Sequence, residues 1–175
     1  MAGSPGGATA WLTGLPGAGK TTVAGALTLR LRELGRPVLW LDGDVLRRGL
    51  CRDLGFSAED RAENVRRAGE VACLVAQSGV VAVVSLISPY AADRGAVRAR
   101  HAEHGAPFVE VFVSTPAEIC ERRDPKGLWA RARAGELKGF TGVDDPYEAP
   151  EAPELAVGPW QTPEEAAAEV LGRLG

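Results

Sequence analysis

Apolar positions along the chain switch between short β-branched runs and stripes at helical spacing. Ala10-Trp11-Leu12-Thr13 reads as a short strand, after which Val23, Leu27, Leu31 and Leu34 recur once per helical turn until Gly35 stops them. Pro37 to Leu41 reads as a second strand. Ser57-Ala58-Glu59-Asp60 carries a capping signature for a long helix to about Ser78, with Val65, Ala68, Ala72 and Val75 as its buried stripe. Val80 to Ile87 is a continuous apolar run, the pattern of a parallel strand covered on both faces. Ser88-Pro89 predicts the cap and first turn of another helix. Pro107 to Val113 gives a fourth strand, and Thr115-Pro116-Ala117-Glu118 reads as a capping box with proline at the first helical position. Leu155-Ala156-Val157 predicts a short last strand, and Thr162-Pro163-Glu164-Glu165 caps a terminal helix carrying Ala166, Val170 and Leu174.

Strand-helix alternation of this kind implies an α/β fold: a parallel sheet between two helical layers, α/β/α, within one domain over residues 1–175. Residues 124–153 break the rhythm. They are rich in glycine, proline and charge, with a short helical piece near Leu128 to Ala134, as expected of a lid. Met1 to Thr9 is small and glycine-rich, a flexible N-terminal arm without the basic start and apolar core of a signal peptide.

The first strand runs into Gly14-Leu15-Pro16-Gly17-Ala18-Gly19-Lys20-Thr21, the pattern that cradles nucleoside triphosphate phosphates, as in P-loop NTPases. Glycines bring backbone N–H groups against phosphate oxygens. Lys20 follows charge developing on a transferred phosphoryl group, and Thr21, with Thr22 beside it, offers a hydroxyl to Mg²⁺. The helix that starts there adds its N-terminal dipole. Ligands of such sheets gather at the carboxyl ends of the strands. Two more polar clusters belong there: Asp42-Gly43-Asp44 and Ser88. Asp42 and Asp44 suit orientation of Mg²⁺ or of an acceptor hydroxyl, or else a turn and helix cap.

Six arginines crowd residues 47–67. Arg61 and Asn64, three apart on one helix face, are better candidates for an anion than Arg66 or Arg67. Phe56 and Phe140 stand beside glycines in polar loops, where an aromatic ring can stack on a base or plug a core. Ser88 is a candidate nucleophile or phosphate contact, with a plain helix cap as the alternative; Lys126 opens the lid. Trp11, Trp40, Trp129 and Trp160 read as packing residues, and His101 and His104 as surface residues.

Composition narrows the classes. A net charge of −3 argues against a nonspecific nucleic-acid surface. No apolar run approaches the roughly 20 residues of a membrane span, so a cytoplasmic protein is expected. Cys51, Cys73 and Cys120 are odd in number and lack metal-ligand spacing, hence isolated thiols.

Later motifs are more specific: Leu41-Asp42-Gly43-Asp44, Arg52 to Ser57, Arg61 with Glu63-Asn64, Ile87-Ser88-Pro89-Tyr90, Asp124 to Leu128, and Lys138-Gly139-Phe140-Thr141-Gly142-Val143-Asp144-Asp145-Pro146-Tyr147-Glu148. In this order they resemble the adenylylsulfate (APS) kinases, from Trp11 to about Leu155. The resemblance implies a P-loop kinase fold, ATP and Mg²⁺ as cofactors, adenosine 5′-phosphosulfate as acceptor, and a homodimer. It implies Asp44 at the acceptor hydroxyl; Arg47, Arg61 and Asn64 on the phosphosulfate and sugar; Phe56 and Phe140 clamping adenine; and Ile87 and Ser88 lining the site, Ser88 at the family's phosphoserine position. Lys126 would belong to the mobile lid. The chain departs from the family pattern at Pro16, Val45, Arg48, Cys51, Leu86, Ala91 and Ala130. Those departures leave open a kinase with another nucleotide-like acceptor; a nucleotide-binding switch is the alternative of another class, against which the retained Asp44, Arg61, Asn64 and lid argue.

Overall fold

Every residue of β1 (Thr9–Thr13) is buried, as the central strand of a sheet covered on both faces requires. The computed structural model describes residues 6–175. Along the chain β1 is followed by α1 (Lys20–Glu33), β2 (Val38–Asp42), α2 (Gly43–Arg48), α3 (Ala58–Gln77), β3 (Val81–Ser85) and α4 (Ala91–Glu103). Then come β4 (Phe108–Val113), α5 (Ala117–Arg123), α6 (Leu128–Arg133), β5 (Leu155–Val157) and α7 (Pro163–Leu174). All strand pairs are parallel, in the order β2-β3-β1-β4-β5.

Side-chain alternation divides the core. Ala10 and Leu12 face α1 and α7, meeting Val23, Leu27, Leu31 and Val170. Trp11 faces the opposite layer, meeting Val65, Ala68 and Ala72 of α3 and Val97 of α4. The expected three-layer α/β/α arrangement is therefore present. Ser57 caps α3 by accepting from the Asp60 N–H at 3.1 Å, and Thr162 with Glu165 closes a reciprocal capping box on α7.

Several expectations fail locally. Leu34 is the C-cap of α1 and half exposed rather than part of the stripe. Of the expected flexible arm, residues 1–5 lie outside the described residues, but residues 7–9 are buried. A Cβ on Gly7 would stand 2.0 Å from the Ala76 carbonyl, so glycine serves close packing there, not freedom. Thr115 does not cap α5, whose N-cap is Pro116; its hydroxyl donates instead to the Ala18 carbonyl at 2.8 Å. Ser88 does not cap α4 either: Tyr90 is the N-cap, and Glu148 accepts from the Ala91 N–H. His101 is fully buried, bonded to Thr9 and the Val97 carbonyl and packed on Phe108. Trp160 is 78% exposed, lying on Gly158 rather than in the core. Local pattern could not reveal these long-range partners.

Candidate active site

The glycine loop leaves β1 and turns into α1 at Gly19, whose φ of 104° lies in the left-handed region glycine tolerates. No side chain caps α1, so its first N–H groups stay available to an anion. Two outside bonds hold the loop: Thr115 on Ala18, and the Trp129 indole donating to the Pro16 carbonyl at 2.8 Å. Lys20 curls over it, its ammonium donating to the carbonyls of Gly14 at 2.9 Å and Leu15 at 2.8 Å. Burial lowers its pKa to about 8, countered in part by Cys120.

At the end of β2, Asp42 accepts from the Asp44 and Val45 N–H groups and so starts α2. Its other oxygen accepts from Ser85 at 3.0 Å and Thr21 at 3.3 Å. Asp42 thus faces the phosphate loop. Asp44, two residues on, points across the cleft and forms an ion pair with Lys126 of the lid.

Beyond this pair lies the second half of the cleft. Phe56 is exposed at its edge, with the Arg47 guanidinium 4.3 Å over the ring. Phe140 comes from the lid and packs edge-on against Trp129, centroids 5.3 Å apart. Both rings line one cavity of about 870 Å³, near the top of the range for ligand pockets. Arg61 is buried and already engaged, donating to the carbonyls of Phe56 and Gly139 and to the Thr141 hydroxyl. It ties the lid to α3. Ile87 and Ser88 form the floor, and Ser88 is held at a positive φ of 42°.

Of the sequence-derived site residues, Pro16, Gly17, Gly19, Lys20, Thr21 and Thr22 line this cavity on the loop side. Asp42, Asp44, Arg47, Phe56, Arg61, Ile87, Ser88, Lys126 and Phe140 line it beyond. Gly14, Leu15, Ala18 and Asn64 do not: Gly14 and Ala18 shape the loop, Leu15 faces a shallower pocket beside Tyr147, and Asn64 is buried with its Oδ1 unpartnered. Ser85, Arg123 and Leu137 line the same cavity without having been singled out in the sequence, and Trp129, expected only to pack, lines it too. Ser85 had a signal, the one hydroxyl closing a β-branched strand. Arg123 ends α5 just before the lid, and nothing in its sequence neighbourhood set it apart from Arg122.

A phosphate loop at the head of a central parallel strand, facing a second chamber roofed by a lid, defines a class: the P-loop kinases. The chain belongs to the adenylylsulphate kinase family, whose model matches residues 6–158. The adenylyl-sulfate kinase of Enterobacter sp. (strain 638) is 56% identical over 149 residues, covering 85% of this chain and 73% of that protein. The adenylyl-sulfate kinase of Citrobacter koseri is 52% identical over 168 residues, 96% of this chain and 83% of that one. The structure of the Mycobacterium tuberculosis APS kinase CysC, in complex with AMPPNP and APS, superposes with a TM-score of 0.94 at 50% identity, covering 97% of this chain and 98% of that one.

Proposed function

We propose that the chain transfers the γ-phosphoryl group of ATP to the 3′-hydroxyl of adenosine 5′-phosphosulfate, the two nucleotides lying end to end in the cleft. The observation that carries this reading is the single cavity with Lys20 and Thr21 at one end, Phe56 and Phe140 at the other, and Asp44 between them. ATP phosphates displace the Gly14 and Leu15 carbonyls from Lys20, which then balances charge on the β- and γ-phosphates. Asp44 accepts a hydrogen bond from the acceptor hydroxyl and takes its proton as the new O–P bond forms and the bridge to ADP breaks. The α1 N-terminus faces the phosphates, and the lid excludes water. Phe56, with Arg47 behind it, and Phe140 hold the adenine; Arg47 and Arg61 serve the phosphosulfate and sugar, Arg61 by exchanging one lid contact for the anion. Ser88 stays a wall of the acceptor site, its hydroxyl occupied by the Trp11 indole at 3.1 Å.

The Thr21 hydroxyl and the Asp42 carboxylate supply hard oxygen donors at the phosphate end, which fits Mg²⁺ held mainly by phosphates and water. When bound, that ion neutralises charge shared by the β- and γ-phosphates. Among the described residues no helix is long and apolar enough to cross a membrane, in keeping with a cytoplasmic enzyme acting on small molecules. A homodimer belongs to the same reading, supported by the unpaired edge of β2 with Leu39 exposed on it.

A panel of acceptors with γ-labelled ATP tests the activity. Label should pass to adenosine 5′-phosphosulfate far faster than to adenosine 5′-monophosphate, other nucleotides or water. Transfer to another acceptor alone, or hydrolysis without any acceptor, would overturn it.

A further inference from the structure

The proposed chemistry uses the ends of the sheet and leaves a buried arginine unexplained. Arg94 on α4 is 3% exposed and spends its guanidinium three ways. Its Nε donates to Glu110 at 2.9 Å, one Nη to the Ser88 carbonyl at 2.7 Å and the other Nη to the Glu148 carbonyl at 2.6 Å. Only the first contact neutralises charge. The other two join chain segments 60 residues apart: the turn after β3, which floors the acceptor chamber, and residues 145–148, where the lid returns to the body. More contacts close the same seam. The Glu148 N–H donates to the Pro89 carbonyl at 2.8 Å, and the Tyr90 hydroxyl to Asp145 at 2.9 Å. Tyr147 meets the Thr13 hydroxyl at 2.9 Å, while Thr13 donates to the Ile87 carbonyl at 2.7 Å. Ser88 sits in this seam in a backbone conformation that a non-glycine residue keeps only when its surroundings impose it.

We infer that Arg94 is a positioning residue for the acceptor nucleotide: it locks the floor turn at Ile87-Ser88 to the root of the lid, so that the chamber holding Phe140 keeps one shape. It touches no substrate and acts through two carbonyls. This rests on the acceptor lying between Phe56 and Phe140. The phosphate loop shares no hydrogen bond with Arg94, so donor binding should be indifferent to it.

The test must separate positioning from stability, because a buried pair cut on one side destabilises the fold. Arg94→Lys keeps a charge for Glu110 but cannot span both carbonyls. In Arg94→Met/Glu110→Met an apolar pair replaces the ion pair, while Arg98 keeps Glu154. Steady-state kinetics with both substrates and equilibrium binding of AMPPNP are measured on each, beside thermal unfolding. Expected is an acceptor KM raised about tenfold or more in every folded variant, the loss of a hydrogen bond from a charged donor, with AMPPNP affinity within about twofold of the parent. A wild-type acceptor KM in either folded variant, or equal losses for both nucleotides, would overturn the inference. Phe56→Ala checks the underlying placement on its own. If it leaves the acceptor KM unchanged, the chamber assignment fails; a raised KM there beside an unchanged one in the Arg94 variants removes only Arg94.

Discussion

ATP should bind this protein with uptake of a proton, and more weakly as the solution becomes alkaline. The perturbation is pH, acting on Lys20. Buried over the phosphate loop, its ammonium has a pKa lowered from the ordinary 10.5 to about 8. Triphosphate oxygens restore the charged form, bringing the bound pKa back to the ordinary value or above. Between about pH 7 and pH 9 the apparent Kd for Mg-ATP then rises about tenfold, about 1.4 kcal/mol. Uptake is about half a proton at pH 8 and about 0.9 at pH 9. Titration calorimetry in buffers of different ionisation enthalpy reads both quantities. Lys20→Met should bind weakly, turn over at background rates, and show no pH dependence in this window. A parent Kd flat within about twofold from pH 7 to pH 9, with no proton taken up, would refute the reasoning. The same shift bears on folding: the unfolded chain binds more protons between 8 and 10.5, so the burial cost of Lys20, about 3 kcal/mol, is present below pH 8 and fades as pH rises through that window.

Asp44→Asn removes the carboxylate that pairs with Lys126 and should lower kcat by about 100-fold or more, with ATP Kd changed by less than about threefold. Equal losses in rapid-mixing kinetics and binding would move Asp44 to nucleotide or metal binding. His101, whose pKa burial lowers from 6.5, resists protonation that the unfolded chain accepts, so its contribution to stability is whole above pH 6.5 and drains away below it. Denaturant titrations at about pH 7.5 and 5.5 should show a loss of stability in the parent that is smaller in His101→Gln; equal losses would exclude His101 as a source.

Sheet and phosphate loop were legible because their signals are local. Val81 to Val84 is an unbroken run of valine and alanine, the pattern of a strand covered on both faces, and the loop must hold glycine at Gly19 to turn as it does. The Asp42-Gly43-Asp44 turn was legible as chemistry, but its division of labour was not: which carboxylate faces Thr21 depends on Asp42 being spent on the α2 N-cap and on Ser85 at the end of the next strand, 43 residues on. Ser88 shows the limit most clearly. A serine before a proline is locally a cap, and only the Trp11 indole, 77 residues away, and the Arg94 guanidinium, reaching back from α4, make it a strained floor residue. Thr115 and His101 were misread for the same reason, since each finds its partner across the core.

The strand order carries a consequence for synthesis of the protein. Thr9 to Leu12 pair on one side with Ala82 to Ser85 and on the other with Phe108 to Val111. The phosphate cradle therefore lacks its full pair of flanking walls until the ribosome has reached Val111, 90 residues beyond Thr21. Ligand capture by an emerging chain is a late event, and the glycine-rich segment waits, unsupported, for partners translated long after it.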